Sequence, residues 1–465
     1  MRTKQDPEED SGKGESKKMK ISTVAAAVIF VLTELLHPCP TQAANTQTVI
    51  ITMKSKSSAE AHSKVLQALG ARLLHKIATS GNSSNEFLAF VARIPAGRLP
   101  HRVGQQAAAQ HHKDVMNLLS GLPRGDVIDV EEDYATKWIE AMPTVGAVPF
   151  ATMGAMMGGL PRLKLTSVAP KGMVDRTRPD IPWGVERMHA PAAWSTGAKG
   201  GGVRVGVIDT GIYTEHPNLA GQMNGGYDAF TKSESEGSYQ DQNGHGTHVA
   251  GTIAATGKGG PKGFNVIGVA PEARLYAVRV LDAEGSGSIA NIIDGLIWAA
   301  NNQVQVVNMS LGSDHPSESL HRAIQYAAGQ MIIVAAAGNS GGPVGYPAAY
   351  PETIAVGASD AEDHVASFSS HGGPGAQVAF IAPGVDVVSS TTRERGLFAS
   401  WRGTSMATPH VTAAAALAMA QGWVGKGGPH GVETQLRKAA KPLADVDRIA
   451  QGAGMIDLGR LVRGF

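Results

Sequence analysis

The strongest constraint on the fold is a set of apolar runs in the second half of the chain. VRVGVID, RLYAVRVL, VQVVNMSL, MIIVAAAG, TIAVGAS and VAFIAPG are rich in Val and Ile and show almost no polar alternation. A strand wet on one face alternates apolar and polar residues, whereas a strand buried on both faces does not. Helix-like stretches, HVAGTIAAT, IANIIDGLIWAANN and SLHRAIQYAAGQ, separate several of these runs. Strands alternating with helices predict an α/β domain built on a doubly wound, mostly parallel sheet. In such sheets the functional groups gather beyond the carboxyl ends of the strands, which says where to look for chemistry.

The runs fill only part of 465 residues, a length that points to roughly three units. Residues 45–140 read as a smaller α+β unit. TVIITM, LLHKIA, FLAFVARI and DVIDVEEDY are strand-like, and SSAEAHSKVLQALG and HHKDVMNLLSGL are helix-like, with Ser57 or Ser58 as a cap. Their order, βαββαβ, is that of a ferredoxin-like domain. Residues 141–178 hold several Pro and Gly and no sustained period, the composition of a linker or maturation segment. Residues 1–44 carry the apolar run ISTVAAAVIFVLT, shorter than the roughly 20 residues a membrane span needs. Thr41 and Ala43 precede Ala44 in a small-residue cleavage pattern, so 1–44 reads as a signal peptide with an extended n-region. That predicts a secreted protein without a stable membrane anchor, leaving 179–465 as the main domain. Cys39 is the sole cysteine, so no intramolecular disulfide forms.

Forty-one basic against 40 acidic residues leave a net charge of +1, and aromatics are 5%. Neither the field nor the stacking surface of a nucleic-acid binder is present. GKGGPKG lacks the Gly-Lys-Ser/Thr register of a phosphate-binding loop.

Several chemically useful residues stand at the ends of the apolar runs. Asp209 closes VRVGVID, Asn339 follows IIVAAAG, and Ser310-Leu311-Gly312 end VQVVNMSL. His245 lies in NGHGTHVAG and Ser405 in GTSMATPHV, each ahead of a helix-like stretch. A serine hydroxyl is a weak nucleophile until a base accepts its proton, and histidine titrates near neutrality. A buried carboxylate fixes the histidine's tautomer and stabilises the imidazolium that forms. Ser405 near a helix N-terminus would face N–H groups suited to an oxyanion, with Gly403 permitting close approach and Pro409 in the helix's first turn. His245 and His248 have an i, i+3 spacing, but no cysteine or acidic cluster accompanies them to make a zinc site.

Together, VIDTGI, HGTHVAG, NMSLG, AAAGN and GTSMATPHV resemble the signature blocks of the subtilisin-like (subtilase) serine endopeptidases, in the order Asp, His, Ser. The resemblance runs from about Ile181 to Val462. It implies that Asp209, His245 and Ser405 are orienter, general base and nucleophile, with Asn339 supplying an oxyanion donor. It implies that Gly285-Ser286-Gly287 and Ser310-Leu311-Gly312 are edges on which polypeptide substrates pair as added strands, and that Ala337, Gly338 and Gly345, with Ala335 and Ala336, line an uncharged first pocket. Residues 45–140 are similar to the family's propeptide, an intramolecular inhibitor, so the resemblance implies a zymogen that works as a monomer.

The chemistry so implied needs no cofactor, and no metal ligand is assigned. A structural calcium is the one possible addition, since many family members hold one. Here Asn218 aligns where a ligating Asp usually stands, and Pro179 near a glutamine ligand. The loop from Thr256 to Asn265 carries Lys258 and Lys262 and no carboxylate. Asp228 and Asp241 are unassigned candidates for a cation site elsewhere. Two other readings of the whole are a catalytically silent binding protein on the same fold, and an α/β-hydrolase esterase with GTSMA as its nucleophile elbow. The first would be expected to lose site residues that are all present, and the second orders its triad Ser, Asp, His.

Overall fold

Six of the apolar runs become six of seven parallel strands in the computed structural model, which describes residues 46–54, 59–79, 87–95, 126–139, 181–261, 264–372, 376–428 and 430–464. The smaller, N-terminal sheet consists of β1 (Thr46–Lys54), β2 (Arg72–Ala78), β3 (Phe87–Pro95) and β4 (Val127–Glu132), in the order β2-β3-β1-β4. Helix α1 (Ala59–Leu69) covers one face with Val65 and Leu69, against Val49, Ile51 and Met53 of β1. Ile50, on the opposite face, packs instead with Ile77, Phe87, Ala89 and Val91 into the core of the larger domain. Both faces of this small sheet are therefore buried. The expected cap residues Ser57 and Ser58, the second helix HHKDVMNLLSGL and the segments 1–44 and 141–178 lie outside the described residues. The contacts divide the chain after Thr46, and 47–465 forms one unit.

A short strand, β5 (Ala135–Lys137), precedes the large sheet. That sheet contains β6 (Arg204–Asp209), β7 (Met223–Asp228), β8 (Arg274–Arg279), β10 (Val306–Met309), β11 (Ile332–Ala336), β12 (Ile354–Ser359) and β13 (Phe380–Pro383). Its order is β13-β12-β11-β10-β6-β8-β7, and every pair is parallel. Strand β7 was not legible among the apolar runs, because MNGGYD has the composition of a turn. It is held at an edge by β8 alone, pairing Tyr227 with Val278.

Helices α2 (His245–Ala254), α3 (Ile289–Asn301), α4 (Glu318–Ala328) and α5 (Thr404–Ala420) flank the sheet. Between β8 and α3 lies the short strand β9 (Ser286–Ser288). Residues 404–418 of α5 are all buried, and the helix packs across β10 to β13. A helix apolar on every side belongs inside a protein, and its alanines let the sheet come close. From β6 the chain goes outward to β7, returns through β8, and then crosses to β10 on the other side. The reversal lies between β6 and β10, so their carboxyl ends border the crevice where doubly wound sheets place their sites.

Candidate active site

Asp209 is the last residue of β6 and His245 the first of α2, and both are fully buried. The His245 Nδ1 lies 2.8 and 2.9 Å from the two Asp209 carboxylate oxygens. A carboxylate only accepts, so Nδ1 carries the proton and Nε2 is left as the acceptor. That Nε2 is buried without a partner among the described residues. The Thr210 N–H, 2.7 Å from Oδ1, completes the hold on Asp209. Gly246 must be glycine, since a Cβ there would lie 2.1 Å from the Gly211 carbonyl oxygen. The helix is pressed onto the end of β6.

Ser405 lies in the first turn of α5, after Gly403, whose φ of 148° disfavours any side chain. Its hydroxyl donates to the Ser310 carbonyl at 3.1 Å, while the Ser310 hydroxyl donates to the Ser405 carbonyl at 2.8 Å. Pro409 explains the second bond. It sits deeper in the helix than the expected first turn, four residues after Ser405. Having no N–H, it cannot donate to the Ser405 carbonyl, and Ser310 from beyond β10 supplies the donor instead. Ser310 is held in turn by the Asn308 amide at 2.8 Å, and Asn308 by the Thr412 hydroxyl at 2.9 Å.

Asn339 follows β11. Its Oδ1 accepts from the N–H and the hydroxyl of Thr404, both at 2.9 Å. That fixes the amide, and Asn339 lines the cavity together with Ser405. The cavity is about 420 Å³ and is lined by Ala336, Gly338, Asn339, Gly345, Thr404 and Ser405, among others. Ala335 and Ala337 are buried and are not among its lining residues. The Ala337 carbonyl accepts from Gly345 N–H at 2.9 Å, holding a residue that does line the cavity. The exposed Asp314 and His315 also reach the lining, so the mouth of the pocket carries ionisable groups that the uncharged pocket did not include.

The two glycine-flanked edges face each other across a segment of the chain itself. β5 pairs antiparallel with β9, Thr136 opposite Gly287. Trp138 N–H donates to the Gly285 carbonyl at 3.1 Å, and its carbonyl accepts from Gly312 N–H at 3.0 Å. The Trp138 indole donates to the Gly287 carbonyl at 2.8 Å. Ile139 packs on Gly285, where φ is 79° and a Cβ would come within 2.3 Å of it. Just upstream, two carboxylates cap the helices that lead away from the cleft. Asp133 accepts from Ala290 N–H at the start of α3, and Glu131 from the Ser317 hydroxyl and Ser319 N–H at the start of α4. Anions at helix N-termini meet both free N–H groups and a favourable dipole.

The profile of the subtilase family matches residues 200–454. The chain belongs to the subtilase family. Over 239 residues it is 51% identical to subtilisin Savinase from Lederbergia lenta, covering 51% of this chain and 83% of that one. The alkaline protease of Alkalihalobacillus alcalophilus is also 51% identical over 239 residues, 59% of its own length. Subtilisin E of Bacillus subtilis strain 168 is 47% identical over 247 residues, 61% of its length. The chain thus spans less than two thirds of these last two relatives.

Within this subtilase, His248 is no metal partner for His245. Its Nε2 faces the Val387 and Ala399 carbonyls at 3.0 and 3.2 Å, and its ring stacks on Trp401 at 4.6 Å. Burial and the neighbouring His245 push its pKa down to about 3. The place where the family commonly holds calcium does not fit one here. Asn218 is fully buried, with its Oδ1 accepting from Val266 N–H at 2.9 Å. Its Nδ2 therefore points the other way, donating to the Lys258 carbonyl at 2.6 Å and to Asn265 Oδ1 at 2.8 Å. Asn265 Oδ1 also accepts from Gly260 N–H at 2.6 Å. The oxygens that would surround a cation are turned onto donors. Pro179 and Lys262 lie outside the described residues. Asp228 is paired with Thr231, Phe230 N–H and Arg279.

Proposed function

We propose that this chain is a secreted, zymogen-type serine endopeptidase, with Ser405 as nucleophile, His245 as general base and Asp209 as orienter. The observation that carries the reading is the buried Nε2, unpartnered among the described residues, of a histidine whose other nitrogen is committed to a carboxylate, in a chain that sets Ser405 and Asn339 together in the wall of one cavity. An extended polypeptide lying between the 285–287 and 310–312 edges offers its own N–H to the Ser310 carbonyl. The Ser405 hydroxyl, released from that acceptor, turns to Nε2. His245 takes the proton as the oxygen attacks the scissile carbonyl, and the imidazolium is stabilised by Asp209. Charge on the carbonyl oxygen is met by Asn339 Nδ2 and Ser405 N–H. His245 then protonates the leaving amine, and water resolves the acyl-enzyme by the same steps in reverse.

Residues 45–140 act as the inhibitory prodomain and 141–178 as the maturation segment. Supporting this are the strand pairing of β5 with β9, which includes residues of one proposed substrate edge, and the carboxylate caps on α3 and α4. Ala336, Gly338 and Gly345 favour an apolar residue such as Leu, Phe, Tyr or Met before the scissile bond, with broad tolerance elsewhere. The enzyme acts as a monomer. Export rests on the apolar run at 21–33 and the small residues near Ala44; among the described residues no helix is long and apolar enough to cross a membrane.

The test is expression of the full chain and its Ser405→Ala variant, with N-terminal sequencing and intact mass of the product, and casein hydrolysis. Hydrolysis by Ser405→Ala overturns the assignment, and normal processing of that variant in pure form overturns self-maturation. A peptide-library profile dominated by Arg before the scissile bond overturns the pocket reading.

A further inference from the structure

One buried carboxylate beside the site has no part in the mechanism above. Asp241, 6% exposed, lies four residues before His245 in the loop leading into α2. Its Oδ1 accepts from the Thr210 hydroxyl at 2.9 Å, Asn243 N–H at 2.9 Å and Gly244 N–H at 2.8 Å. Its Oδ2 accepts from the N–H and hydroxyl of Thr247 at 2.9 and 2.6 Å. The direction of both hydroxyls is fixed. Thr210 Oγ1 accepts from Gly246 N–H at 3.0 Å and Thr247 Oγ1 from Tyr213 N–H at 2.9 Å, so each proton is left for Asp241. Five hydrogens converge on one carboxyl group, and none of these neighbours offers an acceptor for a proton on it. Burial raises this carboxyl above the usual range, opposed by the hydrogen bonds from Gly244, Thr247 and Asn243.

The partners belong to two elements. Asn243, Gly244 and Thr247 are the entry and first turn of α2, which begins with His245; Thr210 continues β6, and its N–H is bonded to Asp209. Gly244, the residue before the helix, has no side chain to cap it, and Asp241 takes over the Thr247 N–H that such a cap would hold. The same carboxylate thus fastens the start of the base's helix to the end of the orienter's strand.

We propose that Asp241 is a positioning residue for the hydrolytic reaction: its anion locks the Asp209–His245 pair in register through Thr210 and Thr247. This rests on the role of His245 proposed above. The other ionisable groups around the loop are Asp209, His248, which burial keeps neutral, and Arg395, whose Nε donates to the Asn243 carbonyl. Asp241→Asn puts an amide nitrogen against N–H groups on whichever side it turns, and removes the negative charge.

The experiment uses the full chain, with the active sites of its product titrated by a fluorophosphonate so that only competent enzyme enters the rate. Asp241→Asn is expected to lower kcat at least about tenfold with KM within about threefold, the signature of lost transition-state organisation. Thr210→Val, which breaks the bridge but keeps the charge, should lower kcat in the same way, and Thr210→Ser should restore it. Wild-type kcat in Asp241→Asn overturns the proposal; should that variant give no titratable enzyme, an unchanged kcat in Thr210→Val overturns it. Activity in Ser405→Ala would instead overturn the triad assignment on which it rests.

Discussion

Replacing Asn218 should damage this subtilase as removing a structural metal damages a metal-dependent protein, and chelators should leave the wild type untouched. Three side-chain hydrogen bonds leave Asn218, to Val266 N–H, the Lys258 carbonyl and Asn265 Oδ1. In Asn218→Ala the Val266 N–H is stranded in a buried setting, at about 1–3 kcal/mol, and the two oxygens lose bonds worth about 1 kcal/mol each. The expected total is about 3–5 kcal/mol, or very roughly 10 °C in thermal midpoint for a domain of this size. Asn218→Asp differs in kind. It still receives Val266 N–H but turns a second oxygen onto the Lys258 carbonyl and Asn265 Oδ1, three oxygens without a donor between them. That variant should be destabilised in chelator and recover with calcium, by about 2.7 kcal/mol once the ion exceeds its Kd a hundredfold. The assay is thermal unfolding of the full-length chain in a Ser405→Ala background, which prevents self-digestion, with calcium and with chelator. A midpoint that falls by more than a few degrees when calcium is withdrawn from the Asn218 protein would refute the reasoning. So would a cost below about 1 kcal/mol for Asn218→Ala.

Three further outcomes are expected. Burial drives His216 and His410 down to about 4 and His248 to about 3, so all three are neutral when folded and take up protons on unfolding once pH falls below 6.5; their contribution is present above 6.5 and lost as pH falls towards 4, with a slope near three protons, about 4 kcal/mol per pH unit, in urea titrations. A flat stability between pH 6.5 and 4.5 would contradict it. Asn339→Ala should fold and be labelled at Ser405 yet lose about 10²–10³ in kcat, the loss known for one such donor in subtilisin itself; a loss under tenfold would remove Asn339 from the oxyanion site. Glu131→Gln with Asp133→Asn removes both charges from the N-termini of α3 and α4, weakening prodomain docking by about 1–2 kcal/mol, so the lag before activity appears should shorten several-fold; an unchanged lag would show that the caps do not hold the prodomain.

The strands of the large sheet were legible because burial on both faces leaves an unbroken Val and Ile pattern, and the site blocks were legible because Asp209, Ser310 and Asn339 stand at or just past such strands' ends while His245 and Ser405 open helices. What escaped has a common cause. The bond from Thr210 to Asp241 spans 31 residues and that from Ser310 to Ser405 spans 95, so neither leaves a local pattern. β7 escaped because its Gly225-Gly226 pair suits close contact with β8 rather than strand propensity; a Cβ on Gly226 would lie 2.5 Å from the Ala277 carbonyl oxygen. Pro409 was read as a first-turn proline because sequence shows only that a helix tolerates it, not that Ser310 stands ready to satisfy the carbonyl it leaves free. The family resemblance counts Ala337 among the pocket residues, although it is buried and only its bonded neighbour Gly345 reaches the lining.

The exchange between Ser310 and Ser405 has a consequence for the resting site. A helix alone would hold the Ser405 carbonyl with the N–H four residues on; with Pro409 there, the hold passes to the sheet, through Ser310, Asn308 and Thr412. The backbone at Ser405 is thereby tied to the chain beyond β10 rather than only to its own helix. The Ser405 hydroxyl rests on the carbonyl of that same Ser310. In the proposed mechanism Ser310 also belongs to a substrate edge, so an extended substrate whose N–H claims that carbonyl would free the hydroxyl for Nε2 of His245. Among the described residues, Trp138 bonds to Gly285 and Gly312 while the Ser405 hydroxyl keeps its bond to the Ser310 carbonyl.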